Sequence, residues 1–204
     1  SHHRFTNNWD TELIKELKKL QKKGHKKPML TGYIPHYDPT NDPDGRVKDP
    51  WYMHFDRISP DGNVHFLPAS VDDFKERTEP IPARFYSAHF CFTIGDFCRE
   101  VQHDPEFYFH GEEISVGVRA FTHGYDLFSP HKIFMWHFYT RNGLKRHWDD
   151  HTDWVKMNDY AHSKNRRLFG MDGEKYTEEE FGIYGFGKER TLEDYERYAG
   201  ISFK

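Results

Sequence analysis

Glu112 and Glu113, set behind His110-Gly111, are the residues of this chain best placed to do chemistry. Adjacent carboxylates after a flexible glycine can present acceptors to sugar hydroxyls or to a cation. They open a stretch in which Ile114, Val118 and Phe121 recur at i, i+4 and i+7, the spacing of an amphipathic helix. The pair falls in its first turn, where the helix dipole favours ionised carboxylates; His123 and Gly124 mark the last turn and a left-handed cap. Acidic first turns are common, so the plain alternative is that Glu112 and Glu113 serve only as dipole partners.

Fifteen histidines supply further raw material for a site. His2 and His3 stand at the start of the sequence, and His36-Tyr37-Asp38 sits among prolines. His137 lies in an apolar stretch, and His147 and His151 flank Trp148-Asp149-Asp150. Any one of these is by default structural or exposed. His147 and His151 can share a helical face, but no glutamate stands beside them as in a zinc protease. His36, Asp38 and His137, with Arg141 nearby, have the outline of a non-haem iron facial triad. Neither common phosphate loop is present, nor a nucleophile elbow. The clusters Trp51-Tyr52 and Phe107-Tyr108-Phe109 can stack on a sugar or base, or fill a core.

The elements that must carry these residues follow from periodicity and punctuation. Trp9, Leu13, Leu17 and Leu20 predict a helix over Trp9–Lys22, capped by Asn8 or Asp10 and stopped at Gly24. Met29 to Ile34 predicts a buried strand, and 35–50, rich in proline, a long loop of acceptor-side or lid type. Trp51 to Arg57 and Asn63 to Leu67 predict strands joined through Pro60-Asp61-Gly62. The alternation from Arg84 to Ile94 predicts the strongest strand, followed by a helix over Gly95–Val101 and a strand from Ile133 to Tyr139. Thr191 and Asp194 form a capping box for a last helix that Gly200 ends.

Composition bounds the rest. The 204 residues suit one domain; only 36% are apolar, yet 17% are aromatic, enough rings to build a core. A net charge of −4 argues against nucleic acid or an anionic membrane as partner. No apolar run reaches the roughly 18 residues of a membrane span. Cys91 and Cys98 match no metal spacing or disulfide framework, as suits a reducing, cytoplasmic setting.

Several segments taken in order resemble one family. They are Ser1-His2-His3-Arg4-Phe5, Trp9-Asp10, Leu30-Thr31-Gly32-Tyr33, Arg84-Phe85-Tyr86-Ser87-Ala88, Phe107 to Ser115, Trp136-His137 and Tyr184-Gly185-Phe186-Gly187. The chain resembles the GlcNAc-transferase family that includes the cytoplasmic enzyme modifying hydroxyproline of Skp1, and more distantly the polypeptide GalNAc-transferases. The resemblance implies an α/β, GT-A glycosyltransferase fold lacking most of its N-terminal nucleotide-binding half. It implies one partial domain over 1–204, with 142–204 as a helical extension. It implies transfer of GlcNAc from a UDP-sugar to a protein or glycan acceptor, with retention and a divalent cation, Mn²⁺ or Mg²⁺. The family's metal motif reads Asp-Ser-His, so Ser1-His2 supply its last two positions and the aspartate would precede Ser1. By the same likeness His2 and His137 are metal ligands, and Glu112, with Glu113 beside it and His110-Gly111 before it, contacts the donor sugar. Arg84 or Arg141 would steady the diphosphate. An iron oxygenase using His36, Asp38 and His137, and a non-catalytic carbohydrate-binding domain, are the alternatives.

Overall fold

The computed structural model describes residues 2–140, 143 and 145–204. Their contacts fall into two units. The first is assembled from Ser1–His54, Leu67–Ile94 and Asp126–Asn142, and the second from Phe55–Phe66, Gly95–Tyr125 and Gly143–Lys204. Strands and helices mix along the chain, as the expected α/β class requires. No helix among the described residues is long and apolar enough to cross a membrane.

The first unit opens with β1 (His3–Phe5), α1 (Trp9–Lys22) and β2 (Lys27–Thr31). The chain then passes toward the second unit within β3 (Trp51–Ile58) and returns within β4 (Val64–Ser70), the two strands pairing as the Pro60-Asp61-Gly62 turn predicts. β5 (Ile81–Pro82), β6 (Cys91–Thr93), β7 (Tyr125–Ser129) and β8 (Met135–His137) complete the strands. A four-stranded sheet runs β5-β7-β2-β6, with Met29 opposite Thr93 and Ile81 opposite Ser129 in antiparallel register. Leu13, Leu17 and Leu20 of α1 bury one stripe against Leu30, Ile34, Phe90, Phe128 and Phe134. Asn8 holds the N-cap position in a left-handed conformation (φ 57°), and its side chain makes no cap bond, contrary to the expectation.

One predicted strand is overturned. Of Arg84–Ile94 only Cys91–Thr93 is extended, and 87–90 turns back on itself, Ser87 bridging Phe90. The cause is Thr31: its buried hydroxyl accepts from the Ser87 N–H (2.9 Å) and donates to the Phe90 carbonyl (2.8 Å). Those two bonds satisfy the turn where water cannot reach, and they outweigh the alternating pattern.

The second unit is helical: α2 (Phe97–Glu100), α3 (Glu112–Thr122), α4 (His147–Asp150), α5 (Trp154–Phe169), α6 (Glu178–Phe181) and α7 (Leu192–Ala199). α3 is buried from Ile114 to Thr122 on every side rather than along a stripe, which corrects the amphipathic reading. Phe121 packs edge-on to Tyr195 and flat on Tyr198 of α7, and Phe169 stacks on Phe203 at 4.1 Å. The capping box at α7 forms as predicted, and Gly200 closes that helix with φ 64°.

Candidate functional site

In the first unit β1 pairs antiparallel with β8, setting His3 opposite His137. The buried His137 ring then collects the others. His2 lies edge-on at 4.8 Å between ring centroids, His3 at 4.8 Å, His89 at 5.5 Å and Tyr139 at 4.3 Å. His3 stands with His2 among the histidines the sequence offered, whereas His89 was not a candidate there. His89 joins because the Thr31-centred turn carries it there, which no local pattern announces. Burial, then the charge of neighbouring His2, pushes the His3 pKa below its usual value.

Imidazole is a donor that suits Mn²⁺ and its neighbours, so the chemistry of this cluster fits a divalent cation. Among the described residues no three His, Cys, Asp or Glu side chains stand ready to hold a metal between them. Asp38 is committed elsewhere: its carboxylate accepts from the N–H (2.9 Å) and hydroxyl (2.7 Å) of Thr40, capping the 3₁₀ turn Pro39–Asn41. The facial triad of His36, Asp38 and His137 is therefore not assembled. The 35–50 loop is fastened rather than loose. Asp42 pairs with Arg4 (3.2 Å) and Arg46 (2.5 Å), and the Trp136 indole donates to the Val47 carbonyl. Arg84, also in this unit, is half-buried over the Phe85 ring and lines a cavity of about 480 Å³ with Arg77, Asp72 and Asp73. Arg141 lies outside the described residues, as does Ser1.

In the second unit Gly111 holds the N-cap of α3 at φ 85°, and the Ser115 N–H donates to its carbonyl at 3.0 Å. The left-handed backbone favours glycine here, and a Cβ would lie 3.2 Å from the Asn165 and Phe107 side chains, which would have to give way to it. This start delivers Glu112 to a partly exposed position, where its Oε1 meets His103 Nδ1 at 3.0 Å. No local pattern in the sequence points to His103 as its partner. Its hydrogen bond to Glu112 raises its pKa against the opposing effect of burial. His110 stacks on His162 at 5.8 Å and approaches His65 at 6.3 Å; burial, then these two rings, lowers its pKa.

Beneath this surface lies a charged network that composition could not reveal. Lys164 and Asp104, both almost fully buried, pair at 2.5 Å, and Lys164 also reaches Glu106 at 2.5 Å. Arg119 of α3 is 1% exposed, donates to the carbonyls of Gly185 and Ile183 at 3.3 Å, and is pulled by burial to a pKa of about 10. The Tyr184-Gly185-Phe186-Gly187 segment thus wraps the middle of α3. Gly187 is forced by that approach, since a Cβ would lie 2.5 Å from the backbone of Thr122 and His123.

The second unit so offers a carboxylate pair at a fixed helix start, and the first an imidazole cluster on a strand pair. Such groups can bind hydroxyls and a cation respectively. A family model described as Glycosyltransferase (GlcNAc) matches residues 1–204, the whole sequence. No curated protein matches it.

Proposed function

The chain belongs to the GlcNAc glycosyltransferase family, and on that premise we propose that it transfers GlcNAc from UDP-GlcNAc to a hydroxyl of a protein or glycan acceptor. The carrying observation is Glu112, fixed at the α3 start by the left-handed Gly111 and joined to His103 at 3.0 Å. Its carboxylate accepts from donor-sugar hydroxyls and stabilises the oxocarbenium-like charge that grows as the bond to UDP lengthens. His110, Gly111 and Glu113 line the same contact. Transfer proceeds with retention: the acceptor oxygen bonds to the anomeric carbon, the electron pair of the broken bond leaves with UDP, and the hydroxyl proton is released.

His2 and His137 are the side chains that would hold Mn²⁺ or Mg²⁺. When bound, the cation supplies Lewis-acid neutralisation of the leaving diphosphate. Arg84 and Arg141 are the proposed cationic contacts to that group. The mixed α/β architecture and the family match support a GT-A type fold, and two cysteines that match no disulfide framework, Cys91 and Cys98, support a cytoplasmic setting.

The test is UDP release from UDP-GlcNAc by the full-length protein, with Mn²⁺ and with EDTA. Activity is expected only with the cation. Glu112→Gln is expected to lower kcat/KM by about 10²-fold, the cost of losing one group that stabilises developing charge. His137→Ala is expected to abolish Mn²⁺-dependent UDP binding. Wild-type UDP affinity in that variant would remove the metal assignment. GlcNAc binding without any UDP release would replace transfer with a carbohydrate-binding role.

A further inference from the structure

We propose that His103 is a positioning residue that holds the Glu112 carboxylate in the orientation it uses toward the donor sugar. The inference rests on the sugar-contact reading of Glu112. It starts from the 3.0 Å pair between His103 Nδ1 and Glu112 Oε1. The His103 ring is exposed, but its backbone is not free. Val101 is buried two residues before it, and Asp104, directly after it, is buried and paired with Lys164 of α5. The Asp104 carboxylate also accepts from the Glu106 N–H at 3.0 Å, fixing the turn that follows. A ring on such an anchored segment can restrain a carboxylate that has several rotamers of its own.

The pair occupies one carboxylate oxygen and leaves the other for a hydroxyl. Among the groups acting on His103 are Glu112 and Arg119, both from α3. The Glu112 hydrogen bond favours the imidazolium, burial and then Arg119 oppose it, and the balance raises the His103 pKa. Below that raised value the contact is a charge-assisted hydrogen bond; above it the imidazole is neutral and the restraint weakens. Donor KM is therefore expected to rise on the alkaline side, with kcat changed less.

The experiment measures KM for UDP-GlcNAc and kcat against pH in the full-length wild type, His103→Ala, His103→Lys and Glu112→Gln. In His103→Ala, KM is expected to be roughly threefold to fivefold higher at neutral pH, the scale of a half-exposed ion pair, and flat through the alkaline limb. His103→Lys, charged to higher pH, is expected to recover the low KM and move that limb upward. The thermal midpoint of His103→Ala should stay within about 2 °C of wild type, as a merely exposed pair dictates. If His103→Ala does not fold, the pH limb of His103→Lys decides alone. A KM–pH profile in either variant superimposable on wild type, while Glu112→Gln is impaired, overturns the inference and spares the function. Wild-type kinetics in Glu112→Gln removes the sugar contact itself, and the role of His103 with it.

Discussion

Gly111 shows how much of a site can depend on an atom that is not there. At φ 85°, with Asn165 and Phe107 3.2 Å from where a Cβ would stand, Gly111→Ala is expected to destabilise the protein by about 1–3 kcal/mol, read as a lower urea midpoint. The sequence made this residue and Glu112 visible, because glycine before an acidic first turn has a local signature. It hid His103, which reaches Glu112 from beyond a proline turn, and Lys164, whose burial depends on α5. Lys164→Met leaves the Asp104 carboxylate buried without its cation, and a loss of about 3–5 kcal/mol is expected in equilibrium unfolding. Replacing Asp104 by leucine in the same chain should recover much of it. No recovery would show that the pair is not the source of the loss.

Elements with strong local rules were legible: α1 over Trp9–Lys22, the β3–β4 hairpin, and α7 with its capping box. Those settled by a distant partner were not. The Arg84–Ile94 alternation is real in sequence, but Thr31 spends its hydroxyl on Ser87 and Phe90 and bends the segment into a turn. Thr31→Val keeps the shape and removes the hydroxyl, and with it the bonds to the Ser87 N–H and the Phe90 carbonyl. It is expected to cost about 1–3 kcal/mol in stability. Because His89 rides on that turn, the nuclear magnetic resonance of its ring should shift as well; an unmoved His89 would separate the turn from the imidazole cluster. For α3, hydrophobic periodicity identified the helix and missed its full enclosure. Arg119 and Thr122 are buried through bonds to carbonyls and to the 182–187 segment, and polar residues satisfied in this way do not look buried in sequence.

The whole molecule carries opposing pH responses. His131 is 1% exposed with neither ring nitrogen hydrogen-bonded, and burial holds its pKa below the usual value. The folded chain therefore binds fewer protons there than the unfolded chain, and stability is present above about pH 6.5 and lost as pH falls through it. His110 acts in the same direction, whereas the His103–Glu112 contribution is lost as pH rises. The unfolding free energy is expected to drop between pH 7 and 5.5, by at most about 1.4 kcal/mol per pH unit for each group. His131→Phe should flatten that slope, and a slope identical to wild type would refute the assignment. The threading of the two units, three stretches of chain in each, also sets a timetable for synthesis. β1 leaves the ribosome well before β8, so His3 must wait for His137 before its strand has a partner. The imidazole cluster thus cannot form on a nascent chain that stops short of His137.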